Sequence, residues 1–188
     1  MTKMSPRARV LTGAVAVAAL AAGTLGAVSA NAETGRAPEA AKADAVKADA
    51  ADRNLTGSTG LSIEAATKAA QAALDAAEKG GQHVSVAVVD RNGVTRVLLK
   101  GDGAGPQSPE SAERKAFTAV SWNAPTSELV KRLAATPNLK DIPGTLFLGG
   151  GAPVQAKGAP IAAVGVAGAP SGDLDEQFAQ AGVAALGK

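Results

Sequence analysis

The sequence predicts an α/β (α+β) fold in which helices pack against a sheet, and three observations lead to this class. Apolar residues recur at helical spacing between Ile63 and Ala77. Valines alternate with small residues over positions 84–88, which is typical of a strand. The later apolar segments complete the order α-β-β-α-α-β-β-α, which places helices on a mixed sheet.

The first half of the predicted fold is a helix followed by a hairpin. Ser62 is a suitable N-cap for the first helix, and Gly80 follows its end. The strand beginning at Val84 reaches Asn92-Gly93, a dipeptide that favours a type I′ hairpin turn. The run VTRVLLK then returns as the second strand.

The second half is predicted from caps, proline and glycine. Ser108 is expected to cap a helix that ends near Trp122, and a short helix starts at Thr126. The segment TLFL, residues 145–148, is predicted as a strand that runs into three glycines. A further strand, IAAVGVAGA, precedes a last helix, which we expect to open at Asp173 with Glu176 completing a capping box.

The N-terminal 32 residues have the features of a signal peptide. A basic start precedes an apolar run over residues 10–28, and Ala30-Asn31-Ala32 is a small-x-small cleavage signal. The alternative is an uncleaved membrane anchor, because the run is nearly long enough to span a bilayer. Its Ala and Gly content and the cleavage signal favour cleavage after Ala32. The sequence therefore predicts a secreted, extracellular protein that could associate with the cell wall.

Residues 33–60 are predicted to be an Ala/Lys/Asp-rich flexible tether, and residues 61–188 the folded domain. The tether holds four basic and five acidic residues and few large apolar ones, so it cannot form a core. The domain lacks cysteine and has few large side chains, so its core is expected to be made mainly of alanine and valine. Small side chains bury little area, and on this ground we expect oligomerisation.

Charge argues against a nucleic-acid partner. The chain has 19 basic and 17 acidic residues, and cleavage after Ala32 removes three basic ones. The mature chain then has 16 basic and 17 acidic residues, a net charge of −1. Phosphate recognition depends on excess positive charge, and aromatic residues are only 2% of the sequence.

The three glycines do not form a phosphate-binding loop. Such a loop needs Lys and Ser or Thr after its last glycine, whereas Ala152-Pro153 follows here. Two interpretations stay open for the glycines: a sharp turn at a strand end, or a close approach of backbone to a flat ligand. Strand alternation would place Thr145 and Phe147 on one face, where a hydroxyl and a ring could meet such a ligand.

Glu110 and Glu113 are the candidate metal ligands that spacing suggests. Residues three apart share a helix face, and two carboxylates there can hold a hard cation such as ferric iron. The alternative is a solvated first turn in which Glu110 pairs with Arg114. His83, the single histidine, has no visible catalytic partner, and a surface or structural role is the simpler interpretation.

The ordered motifs resemble those of the GlcG/HbpS haem-degrading family. The resemblance lies in VSVAVVDRNGVTRVLLKGDGAGPQSPESAERKAFTA, in GGGAPV and in VGVAGAPSGDLDEQFAQAGVAAL, and it covers nearly all of residues 61–188. It implies a profilin-like fold with a mainly antiparallel sheet. It also implies haem and iron binding, slow haem breakdown, a homo-oligomer such as an octamer, and a membrane sensor histidine kinase as partner in haem and redox sensing.

The resemblance also assigns residues. Thr145 matches the threonine whose oxygen lies near haem iron in the exported branch, with Phe147 beside it. Glu110 and Glu113 match the acidic pair of a surface iron site, and Asp173 is the best candidate for its third ligand. Composition agrees in one respect: after cleavage the chain has no Cys, Tyr or Met, so only His83 or an oxygen donor could bind haem iron.

Three functions are compatible with these observations. The first is a secreted haem- and iron-binding accessory protein that signals haem or redox stress to the kinase. The second is a haem-degrading enzyme that works with an external reductant. The third is an exported binding module for another small ligand.

Overall fold

The computed structural model describes residues 49–187, and the predicted signal peptide and residues 33–48 of the predicted tether lie outside them. Residues 49–60 are exposed and contain one short 3-10 turn, Asp52–Asn54. Within the described residues, no helix is both long and apolar enough to cross a membrane. The elements are α1 (Ile63–Lys79), β1 (Ser85–Asp90), β2 (Thr95–Lys100), α2 (Ser108–Trp122), α3 (Thr126–Arg132), β3 (Gly151–Ala156), β4 (Ala159–Ala167) and α4 (Gly172–Ala184).

The four strands form one sheet in the order β2-β1-β4-β3. All three strand pairs are antiparallel, so the α+β class and the antiparallel sheet are confirmed. The expectation of a mixed sheet from element order alone was wrong. The β1–β4 pairing joins the two halves of the domain, because it brings Ser85 opposite Ala167.

Helices cover both faces of the sheet. α1 and α4 pack with the face that carries Val84, Val86 and Val88. On the other face, α2 packs against Ala87 and Val89 and their neighbours on β4. The valine alternation identified β1 correctly, but small residues at the alternate positions let α2 bury the second face as well. β1 is therefore buried over almost its whole length.

The predicted element order is confirmed, and so is the cap of α1, since the Ser62 side chain accepts a hydrogen bond from the Ala65 amide. Two other caps were predicted wrongly. Ser108 lies inside α2, where its hydroxyl bonds to Ser85 and to the Gly105 carbonyl. α4 is capped by Ser171 rather than opened at Asp173. Ser108 and Glu176, which local patterns assigned to capping, instead bond to the distant residues Ser85 and Ser127.

The hairpin at Asn92-Gly93 exists but is not type I′. That turn requires positive φ at both central residues, and only Gly93 has one, at +82°. The Asp90 side chain accepts hydrogen bonds from the Asn92 and Val94 amides and thereby stabilises a longer turn. Positive φ at two consecutive turn residues occurs instead at Lys157-Gly158, in the two-residue β3–β4 loop.

The segment TLFL is irregular rather than a strand, which corrects the prediction for residues 145–148. The third strand starts six residues later than predicted, at Gly151. The Leu146 amide bonds to the Thr118 hydroxyl, and the Thr145 carbonyl accepts from Arg114. Side chains of α2 thus take the place of a neighbouring strand as partners of this backbone.

The three glycines allow close packing of backbone against α2 and α4. Gly150 has φ +127°, and a Cβ there would lie 2.6 Å from the Val166 carbonyl oxygen and 2.8 Å from Lys115 Nζ. A Cβ on Gly151 would lie 2.5 Å from the Lys115 carbonyl oxygen. Neighbouring protein atoms therefore account for the bare backbone at these two positions, with no ligand required.

Gly150→Ala should lower the free energy of unfolding by about 2–5 kcal/mol, because it adds overpacking to a strained φ. Urea unfolding followed by Trp122 fluorescence measures the loss. Gly158→Ala is the matched control: its φ is +79°, but a Cβ there would have no atom within 4 Å. Equal losses at the two positions would contradict the packing explanation.

Candidate functional site

A cavity of about 510 Å³ lies between the first turns of α2 and α4 and the irregular segment before β3. This volume falls within the range of about 300–1,000 Å³ that is usual for small-molecule sites. Its walls combine hydroxyl, amide, charged and aliphatic side chains. The lining residues are Gln107, Ser108, Ser111, Lys115, Ser127, Val130, Leu146, Leu148, Gly149, Ala167, Gly168, Ala169, Pro170, Ser171, Gly172, Asp173 and Asp175.

One polar stripe of the cavity comes from α2. Gln107, at the N-cap, is followed by Ser111 and Lys115 at four-residue steps, and residues at this spacing lie on one helix face. The stripe therefore presents an amide, a hydroxyl and an ammonium group to the same space. All three groups can donate hydrogen bonds.

Lys115 forms a buried ion pair with Asp175 of α4. Lys115 Nζ lies 2.7 Å from Asp175 Oδ2, and both side chains are about 95% buried. Nζ also donates to the Val166 carbonyl of β4, while Asp175 Oδ1 accepts from the Ala169 amide. Burial raises the pKa of Asp175 above its ordinary value, although the hydrogen bond and charge of Lys115 act in the opposite direction.

Glu176, the next residue on α4, bonds to residues on the other side of the cavity. Its carboxylate accepts hydrogen bonds from the Ser127 amide and hydroxyl, at 2.9 and 2.6 Å. It also accepts from the Thr126 hydroxyl and the Gly150 amide, each at 3.3 Å. The buried carboxylate thereby ties α4 to the start of α3 and to the glycine segment.

The aliphatic part of the lining comes from Val130, Leu146 and Leu148. Leu148 is 54% exposed, which is unusual for a leucine beside a cavity and leaves apolar surface available to a ligand. The cavity thus combines an apolar wall with a buried charged group.

Thr145 and Phe147 lie outside this lining. Residues 145–148 do alternate, but the two leucines face the cavity while Thr145 and Phe147 point inward. The Thr145 hydroxyl donates to the Ile142 carbonyl at 2.7 Å, and the residue is 1% exposed. Phe147 makes an edge contact with Trp122, with ring centroids 5.3 Å apart. Thr145 therefore does not line this cavity in the structure, and its role near haem iron stays a prediction.

The three predicted iron ligands are not brought together. The Glu110 side chain is 78% exposed and lies 3.7 Å from Arg114, as the alternative interpretation predicted. Glu113 accepts a hydrogen bond from Thr95, and Asp173 lies at the cavity on α4. Over residues 49–187, no group of three His, Cys, Asp or Glu side chains could hold a metal ion.

His83 lies at a different cavity, of about 230 Å³, between the end of α1 and the end of β2. Its Nδ1 is 2.7 Å from the Asp102 carbonyl oxygen. His83 is not part of the lining of the larger cavity. The hydrogen-bond contact between His83 and the Asp102 carbonyl agrees with a structural role for the histidine.

Local sequence patterns did not identify Lys115 and Asp175 as site residues, and they assigned Glu176 only to a capping box. The four-residue steps from Gln107 to Lys115 were visible and could have suggested a polar helix face. The acidic pair Asp175-Glu176 gave no such signal, because its partners on α2 and α3 are 49 to 60 residues away along the chain.

The chain is an α+β domain with a cavity of the size usual for small-molecule sites, and comparison with known proteins specifies its family. The family model described as haem-degrading protein HbpS-like matches residues 61–184. The chain therefore belongs to the HbpS-like family, as its motifs had suggested. Comparison with functionally curated proteins gave no match.

Solved structures agree with this membership. The chain is 75% identical to HbpS over 75% of its length and all of that chain, with a TM-score of 0.74. It is 73% identical to a double mutant of Streptomyces reticuli HbpS, in which two glutamates three residues apart are aspartate. That match covers 77% of this chain and 99% of the other, with a TM-score of 0.75.

A third solved structure is a complex with haem. This PduOC–haem complex is 27% identical, with a TM-score of 0.62. The match covers 68% of the present chain and 95% of the other.

Lys115→Met should lower the free energy of unfolding by about 3–5 kcal/mol, because it leaves a buried carboxylate without its partner. The folded pKa of Asp175, already raised, should rise further without the lysine. A group with a raised folded pKa loses stability as pH increases through that pKa. Urea unfolding should therefore show a smaller deficit near pH 4.5 than near pH 8.

The double variant Lys115→Met, Asp175→Leu separates charge from packing. It removes both charges, so most of the lost stability should return and the added pH dependence should vanish. A double variant as unstable as the single one would show that the cost is steric.

Proposed function

We propose that the protein binds haem as an exported accessory protein. The observation that carries this proposal is membership of the HbpS-like family over residues 61–184. The haem complex of PduOC supports the same ligand chemistry in a related fold. The cavity between α2 and α4 is the place in the described chain that best fits such a ligand.

The chemistry of the cavity fits a weakly ligated haem. Its lining contains no His, Cys, Met or Tyr, the side chains that usually bind haem iron. Affinity would come from contact of the macrocycle with Val130, Leu146 and Leu148 and from polar contacts to its carboxylates. Weak ligation suits a protein that takes up and releases haem.

Thr145 is the proposed oxygen donor near the iron, and this role requires a local rearrangement. Its hydroxyl would have to leave the Ile142 carbonyl, and residues 145–148 would have to turn. The rearrangement would also have to break the hydrogen bonds that join the Leu146 amide to Thr118 and the Thr145 carbonyl to Arg114.

Iron binding is proposed for Glu110 and Glu113 on the exposed side of α2. Their three-residue spacing equals that of the glutamates altered in the Streptomyces reticuli HbpS mutant. Both groups are held in place, by Arg114 and Thr95, and a cation would have to displace those partners. Further ligands would come from water or a second copy, since Asp173 is not beside the pair.

Cellular function follows from the same family membership. We propose cleavage after Ala32, a tether over residues 33–60, a homo-oligomer such as an octamer, and signalling of haem and redox stress to a membrane sensor histidine kinase. The Ala-rich core, exposed Leu98 on the edge strand β2 and exposed Val94 just before that strand support self-association.

Haem degradation is the second candidate, because the matched family is described as haem-degrading. Single-turnover spectra of the haem-loaded protein with ascorbate distinguish the two. A biliverdin-like product formed at catalytic rates would favour an enzyme, whereas intact haem would favour the binding function. A protein that binds neither haem nor iron would support a module for another small ligand.

The proposal predicts that haem added to the mature protein shifts the Soret band and quenches Trp122 fluorescence with saturation. Thr145→Ala should change the position of the Soret band, because the oxygen donor is lost. Thr145→Ser keeps the hydroxyl and serves as the matched control. Identical spectra for wild type and Thr145→Ala would remove Thr145 from the iron site, and haem spectra unchanged from buffer would overturn the proposed function.

Glu110→Gln, Glu113→Gln should weaken ferric iron binding about tenfold or more, since each removed carboxylate is a charged ligand for a hard cation. Isothermal titration of the mature protein measures the affinity. The control variant is Glu64→Gln, Glu128→Gln, which removes two exposed carboxylates on other helices. Equal weakening in both variants would indicate a general charge effect instead of a site.

A further inference from the structure

The ammonium group of Lys115 has one donor to spare. It carries three N–H groups, and the Val166 carbonyl and Asp175 carboxylate accept two of them. No third acceptor occurs among residues 49–187. Because Lys115 lines the cavity, the third N–H is available to a molecule inside it.

Ser111 adds a second donor one helical turn away. Its side chain also lines the cavity, and its hydroxyl forms no hydrogen bond within the described part of the chain. Residues four apart on a helix are neighbours, with Cβ atoms about 5–6 Å apart. A carboxylate has two oxygens and can accept from both groups at once.

The rest of the lining restricts the ligand further. Val130, Leu146 and Leu148 give the same cavity an aliphatic wall. A molecule that contacts both the hydrogen-bond donors and the aliphatic wall needs an apolar body and a terminal acceptor group. A purely polar anion would leave the aliphatic wall uncovered.

Two aspartates also face the cavity and must be considered. Asp173 is exposed, so water screens its charge. Asp175 is buried, and burial raises its pKa. The Lys115 ammonium group lies 2.7 Å from Asp175 Oδ2 and offsets its charge, which limits the repulsion of a ligand carboxylate.

We propose that Lys115, with Ser111, binds a carboxylate of an amphipathic ligand in this cavity, and that in haem this carboxylate is a propionate. The identity of the ligand rests on the function proposed above. The preference of Lys115 for a carboxylate does not depend on which ligand carries it. In haem this preference concerns the propionate groups and not the iron.

Blocking the propionates tests the proposal without altering the protein. Wild-type protein should bind haem dimethyl ester about 10- to 100-fold more weakly than haem, because hydrogen bonds to a charged group are lost. Soret titrations in the same buffer and detergent measure both affinities.

Protein variants then show which residues cause the difference in affinity between haem and its ester. In Lys115→Met, Asp175→Leu, which removes the pair without leaving a buried charge, haem should bind about as weakly as its ester. Esterification should then cause no further loss, because the two changes remove one interaction. Ser111→Ala should give a smaller part of the same loss. Lys140→Met is the matched control, since Lys140 forms an exposed pair with Asp141 outside the cavity.

The outcomes distinguish this proposal from the proposed function. Equal affinity of wild type for haem and ester, or an equal loss on esterification in wild type and the double variant, would overturn the role of Lys115 and leave haem binding intact. No binding of haem by wild type would overturn both.

Discussion

The buried ion pair between Lys115 and Asp175 is the constraint on which the rest of the domain depends. Two charges taken out of water need each other and further hydrogen bonds, or the fold loses several kcal/mol. The pair satisfies this requirement through the Val166 carbonyl and the Ala169 amide. As a result α2, β4 and the first turn of α4 are fixed relative to one another, and the cavity forms where they meet.

Glu176, the neighbour of Asp175, connects α4 to a second set of residues. Asp175 points to α2 and the end of β4, whereas Glu176 accepts from Ser127 and the Gly150 amide. Two adjacent carboxylates thus connect one helical turn to both sides of the cavity. The glycines are part of the same arrangement, because any side chain at Gly150 would collide with Lys115 and β4.

A core of small residues suits this architecture. Alanines on α1 and α2 let both helices lie close to the sheet, so both of its faces are buried without large side chains. The polar network then supplies specificity that a uniform aliphatic core lacks. Lys115 and Asp175 of this network also line the cavity, so the proposed ligand carboxylate would join interactions that already stabilise the fold.

The sequence by itself determined the class of fold, the element order and the cap at Ser62, because these depend on periodicity and on hydrogen bonds between residues a few positions apart. The family was also evident, since its motifs are ordered along the chain. Local patterns failed where distant partners intervened: Ser108 bonds to Ser85 instead of capping, and TLFL bonds to α2 instead of a strand. Only the tertiary structure decided which face of residues 145–148 meets the cavity. It also decided that Lys115 finds Asp175, because that contact joins residues 60 positions apart and depends on how the helices pack across the sheet.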